Sequence, residues 1–185
     1  MEIFECIESR RSIRSYKEGK LSNEIINKLL KAGTMAPTGL RKESWGFVVI
    51  QDKNEINEWS EKIKAHILEN IEQYEFLKPM QHILEKPDFS VFHNAENLIV
   101  VFGCTESHSY ISDCTLAAEN IMLAARSMDI GSCWIGFSQF LFDNAEFKNT
   151  YNVPDNYSLV CSITLGYTEQ KFGNAQRKEP LIFNL

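Results

Sequence analysis

Residues 113–136 read DCTLAAENIMLAARSMDIGSCWIG, and this stretch sets the class of fold. Its first part, Asp113 to Met128, carries Leu116, Ala117, Ala118, Ile121, Met122, Leu123, Ala124 and Ala125 and is apolar almost all the way round. A surface helix shows one apolar stripe. This helix is therefore expected at the centre of a large core or against another subunit. After Gly131 the pattern changes to a short strand, Cys133-Trp134-Ile135-Gly136.

Working outward, the same alternation of helix and strand recurs. Trp45 to Ile50, Leu98 to Phe102 and Leu159 to Leu165 are compact runs of strand-forming residues. Between them, Ser22 caps a helix with Ile25, Ile26, Leu29 and Leu30 on one face, which Ala36-Pro37-Thr38-Gly39 breaks. Asn54 opens a long charged helix that buries Ile56, Trp59, Ile63, Ile67 and Ile71, and Asn144 to Tyr151 forms a short one. Residues 3–9 make a brief N-terminal helix. The fold class is α+β, four strands separated by helices in one domain spanning 1–185. Phe76 to Ala95 has two prolines and no clear period, so a mobile excursion over a cleft is expected there. At the far end, Pro180-Leu181-Ile182-Phe183-Asn184-Leu185 concentrates large apolar side chains where chains fray, which predicts docking onto another surface.

Composition narrows the function. With 19 basic against 25 acidic residues the net charge is −6, which disfavours a surface built to neutralise a nucleic-acid backbone. Any anion site must be local. Five cysteines, odd in number and without C-x-x-C, read as reduced core thiols. MEIFECIESRR has no apolar signal core, and no run of about 18 apolar residues exists, so a cytoplasmic protein is expected, away from membranes. His66, His82, His93 and His108 form no metal-ligand spacing and read as surface or loop histidines. No metal site is expected. Cys133 has no basic neighbour in sequence and reads as a structural thiol.

One cluster stands apart. Ser9-Arg10-Arg11-Ser12-Ile13-Arg14 packs three guanidiniums and two hydroxyls into six residues of an acidic chain. Arginines suit a phosphate, to which they donate bidentate, charge-assisted hydrogen bonds. The same residues equally suit a helix C-terminus facing solvent, where cations favour the dipole.

Arg10-Arg11-Ser12-Ile13-Arg14 resembles the R-R-S-x-R opening of the nitroreductase-like flavoproteins, and three further segments match in order. Ala36-Pro37-Thr38-Gly39 with Trp45-Gly46-Phe47-Val48-Val49 is similar to A-P-S-x-x-N-x-Q-P-W-x-F-V-V. Asp113 to Gly136 resembles the long helix and G-x-G-S-C-W-I-G turn of the smaller members. Leu165-Gly166-Tyr167 and Arg177-Lys178-Glu179-Pro180-Leu181 resemble the closing L-G-Y-P and R-K-P-L elements.

The resemblance implies a mostly antiparallel sheet flanked by helices in an intertwined homodimer, with FMN at the subunit interface. Arg10, Arg11, Ser12 and Arg14 match positions that hold the phosphate, ribityl chain and pyrimidine edge, and Arg177 a second phosphate contact. Pro37, Thr38 and Gly39 match a loop that the partner brings to the ring, where Arg41, Glu43 and Ser44 stand in place of the usual Asn, Gln and Pro. Trp134, Ile135 and Gly136 match the turn beside flavin N5, followed by Phe137 at a frequent second glycine. The implied activity is that of an oxidoreductase taking a hydride from NADH or NADPH and reducing an electron-poor acceptor, such as a nitroaromatic or quinone, by a ping-pong mechanism. Chemistry at flavin N5 needs no catalytic side chain. Two other readings share these residues: a flavin-binding or redox-sensing module with little turnover, and a cofactor-free dimeric interaction protein.

Overall fold

Asn97–Cys104 forms a strand buried at every position but its last, and the rest of the molecule is built on its two faces and edges. The computed structural model describes residues 1–173 and 176–184. In chain order the helices are α1 (Ile3–Ser9), α2 (Asn23–Thr34), α3 (Lys53–Glu69), α4 (Gln81–Leu84), α5 (Tyr110–Ser127) and α6 (Ala145–Thr150). The strands are β1 (Trp45–Ile50), β2 (Asn97–Cys104), β3 (Gly131–Ile135) and β4 (Tyr157–Gly166), in the spatial order β1-β2-β4-β3. All three pairings are antiparallel. The four expected strands are all present, and the long apolar helix begins three residues earlier than expected.

Successive side chains of a strand point to opposite faces, and here each face has its own core. Leu98, Val100 and Phe102 of β2 join an aromatic layer with Trp59 of α3, Phe92, Phe142 and Phe147. Ile99 and Val101 join an aliphatic layer with Leu29 of α2 and Ala118, Ile121 and Ala125 of α5. The small residues of α5 let it lie close to the sheet. Ile111 and Leu116 stay exposed, while Leu123 and Ala124 are half-buried, so α5 also presents apolar side chains away from the core. Among the described residues no helix is long and apolar enough to cross a membrane.

Local signals account for the helix ends. The Ser22 side chain accepts the Ile25 N–H, and Asp52, one residue before α3, accepts those of Asn54 and Glu55; such caps satisfy donors that a helix leaves unpaired. The aperiodic stretch 76–95 carries a 3-10 turn at Glu75–Met80 and the short α4, and it buries Leu77, Leu84, Val91 and Phe92 in the aromatic layer. Single anchors at irregular intervals leave no periodic trace. Leu181, Ile182 and Phe183 extend exposed, while Leu185, the last of the expected docking residues, lies outside the described residues.

Candidate active site

The arginine segment leaves α1 at Ser9 and runs beside β3. Ser12 bridges Ser132 in parallel register, and the Ile13 N–H donates to the Ser132 carbonyl at 2.9 Å. Ile13 is fully buried, and a side chain at Gly131 would meet its Cγ2 at 2.7 Å. The small residue thus admits the segment against the strand. Its far end is held by Tyr16, whose hydroxyl donates to the Ile13 carbonyl at 2.7 Å and meets Thr164 Oγ1 at 2.8 Å. Burial pushes that phenol well above its ordinary value.

The three arginines have different surroundings. Arg10 Nε lies 3.3 Å from Glu119 Oε1 on α5. Arg11 folds back onto the carbonyls of Arg10 and Glu8. Desolvation, then the like charges of Arg177 and Arg10, hold the Arg11 guanidinium below its usual value. Arg11 therefore lies within reach of two other cations, an arrangement that an anion relieves. Arg14 instead points to a cavity of about 260 Å³ whose walls include Cys133, Trp134, Ile135, Gly136 and Phe137.

The rest of that cavity comes from the stretch that periodicity did not resolve: Met80, Phe89, Val91 and His93. Burial, and then the charge of Arg14, lower the His93 pKa below its ordinary value. His93 lies in a turn, in keeping with the loop reading of the sequence, and half-buried there it forms part of the wall of this cavity. The one local sign was the pair His93-Asn94, two residue types enriched among left-handed backbones, and both have φ of 55°. Cys133, without basic neighbours in sequence, has Arg14 and Arg10 near it in space, yet burial outweighs them and its thiol is raised above the ordinary value. Phe137 packs edge-on to Phe89, and it also borders an adjoining hollow of about 190 Å³ with Phe76 and Phe140.

Pro37, Thr38, Gly39 and Arg41 lie elsewhere. They form the loop after α2, which rests on the start of α5, and none of them lines the cavity at Arg14. Gly39 N–H donates to Asp113 Oδ1, while Ser44 and Ser109 donate to Oδ2. Leu40, Arg41 and Glu43 all have positive φ. Among the described residues Arg41 and Glu43 form no ion pair with each other. One copy of the chain thus gathers Arg14, Trp134, Ile135 and Gly136 at a cavity, with Ser12 stitched to β3 beside it. It sets Arg10, Arg11 and Arg177 close together and keeps the 37–41 loop apart.

A family model described as Nitroreductase family matches residues 7–167. The chain belongs to the nitroreductase family. A nitroreductase of Bacteroides fragilis, crystallised with bound FMN, superposes with a TM-score of 0.87 at 26% identity, covering 100% of this chain and 99% of that one. One from Desulfitobacterium hafniense shares the fold, with a TM-score of 0.85 at 23% identity over 99% and 97% of the two chains. A protein of Archaeoglobus fulgidus, provisionally named NADH dehydrogenase/NAD(P)H nitroreductase, is 28% identical over 175 residues, 92% of this chain and 87% of that relative. The antiparallel sheet and flanking helices are thus the nitroreductase fold, and the cavity lies where this family member's arginine segment meets β3.

Proposed function

We propose that the chain is an FMN-dependent oxidoreductase, a single domain acting as a homodimer. It takes a hydride from NADH or NADPH and hands it to an electron-poor acceptor, such as a nitroaromatic or quinone, in two alternating half-reactions. The observation that carries this reading is the arginine segment stitched to β3 beside a cavity floored by Cys133 to Gly136. Cations sit at one end of this region and apolar walls at the other, which fits a cofactor with an anionic tail and a flat ring.

Arg10, Arg11 and Arg177 would hold the phosphate, with Arg10 giving up part of its pairing to Glu119. Ser12 offers a hydroxyl and Arg14 N–H donors to the polar edges. Trp134, Ile135 and Phe137 exclude water from the ring. When bound, the FMN supplies the hydride-accepting and hydride-donating atom, and the protein's task is positioning and exclusion of solvent.

Two observations support pairing of copies. Ile3, Phe4 and Ile7 of α1, Ile111 and Leu116 of α5, and Leu181 to Phe183 all expose large apolar side chains, which a second copy can cover. The 37–41 loop lies away from its own chain's cavity and is free to serve a second copy's. The test is purification with FMN, followed by a visible spectrum and rapid mixing with NADH or NADPH. A yellow protein bleached within the turnover time supports the enzyme. A yellow protein that does not bleach supports the sensing module, and a colourless dimer overturns both.

A further inference from the structure

The cavity's side chains are unequal in what they offer to a ligand. Arg14 and the Trp134 indole can only donate hydrogen bonds. The Cys133 thiol is directed at the Trp134 carbonyl, 3.4 Å away. The floor's own carbonyls are engaged: Cys133 with Thr164 Oγ1, Ile135 with Ser138 Oγ, and Gly136 with the Gln139 N–H. Phe89, Val91 and Phe137 contribute no polar side-chain atom. Met80 offers only a weakly accepting thioether, which leaves His93 as the lining side chain with a strong acceptor, and among the described residues its imidazole makes no hydrogen bond. A neutral imidazole carries one N–H and one lone pair.

Its position is fixed. Fully buried Phe92 and Ala95 flank the His93-Asn94 pair, the Ala95 N–H donates to the Phe92 carbonyl at 3.0 Å, and the Asn94 N–H donates to Ser90 Oγ at 3.2 Å. Two consecutive non-glycine residues with φ of 55° make an unfavourable backbone, and such backbone persists where the surroundings over-determine it, often at functional sites.

A flavin ring ends in a uracil-like edge, a ring N–H between two carbonyls. Arg14 can serve a carbonyl but not the N–H. We infer that His93 is the cavity's hydrogen-bond acceptor for that ring N–H, so that Arg14 and His93 together read the polar edge of the cofactor. This rests on the flavin reading above and adds a ligand-contacting residue to it.

A pH dependence follows. The charged group acting on His93 is Arg14, from the segment beside β3; β3 contributes the neutral Cys133 thiol, and Met80, Phe89 and Val91 of its own segment carry no charge. Protonation removes the lone pair and sets a second cation beside Arg14. Recognition of the ring edge is thus retained above the His93 pKa, which lies below 6.5, and is lost as pH falls through it.

The experiment compares binding of FMN and of FMN methylated at the ring N–H, by quenching of flavin fluorescence, between about pH 5 and 8. Wild type is expected to prefer FMN on the order of tenfold, the scale of one hydrogen bond. His93→Leu brings the two ligands to near parity. His93→Gln, which keeps an acceptor but does not titrate, retains the preference and flattens its pH profile. The inference is overturned if His93→Leu keeps the wild-type preference, or if a fall of the wild-type preference at low pH is kept by His93→Gln. Failure of wild type to bind either flavin instead overturns the cofactor reading itself.

Discussion

Asp113 Oδ1 accepts the backbone N–H of Gly39 at 3.0 Å, which ties the loop after α2 to the first turn of α5. The other oxygen of the same carboxylate takes the hydroxyls of Ser44 at 3.0 Å and Ser109 at 3.1 Å. Asp113 is only 2% exposed, so these donors replace water around a buried carboxyl group. What they secure is a loop with three non-glycine residues in left-handed backbone, each costing on the order of 1–3 kcal/mol.

Asp113→Ala is expected to lower stability by about 3 kcal/mol, since it strands three donors, of which Ser44 is buried and Gly39 and Ser109 are half-buried. Asp113→Asn, which keeps an acceptor for Gly39, is expected to lose less than half of that. Urea titrations of the three proteins check the order. Equal midpoints for wild type and Asp113→Ala would remove the latch from the account.

Gly39 and Ser109 supply a test of the same contact by size. A Cβ on Gly39 would overlap Ser109 Oγ and stand 2.8 Å from its Cβ, whereas Asp113 Oδ1 lies 3.8 Å away. Gly39→Ala is therefore expected to cost about 1–3 kcal/mol through overpacking. Adding Ser109→Gly to it is expected to cost less than the two single changes summed, with a coupling of about 1 kcal/mol. Thermal melts of the four proteins read the cycle, and strict additivity would contradict the contact.

Some of this was legible in the sequence and some was not. The four strands and the long α5 showed because β-rich runs and an apolar helix of 18 residues announce themselves by pattern. The arginine segment showed by its density of charge. The Gly39–Asp113 tie joins positions 74 apart in the chain, and nothing in the spacing marks it. His93, Phe89 and Val91 were missed for a related reason: each contributes one side chain from an irregular segment to a cavity whose other wall is β3. Cys133 shows how a neighbour absent from the sequence arrives through the fold, because Arg14 reaches it only after Ile13 has docked on Gly131.

Arg11 separates phosphate recognition from ring recognition. Arg11→Glu is expected to weaken FMN binding by roughly ten- to a hundredfold, the value of one charge-assisted contact, and to change riboflavin binding little because riboflavin has no phosphate. Arg14→Ala is expected to weaken both flavins alike. Fluorescence titrations with the two ligands distinguish these patterns, and a uniform loss in Arg11→Glu would count against its assigned task.

The exposed tail bears on assembly. Leu181, Ile182 and Phe183 are 84%, 59% and 95% exposed in the single chain, and covering a side chain of this kind contributes about 1.5–3 kcal/mol. Removal of residues 178–185 is expected to shift a dimer toward monomer in sedimentation velocity at micromolar protein. An unaltered sedimentation profile would show that the tail is dispensable for pairing.

Glu119, which meets Arg10, and Asp113, which fixes the loop, sit six positions apart on α5, about 9 Å of rise along one helix. The two fittings therefore cannot shift independently. If the loop attends a neighbour's cavity while Arg10 attends its own, each helix is a mechanical linkage between two sites, and filling one cavity alters the leverage on the other.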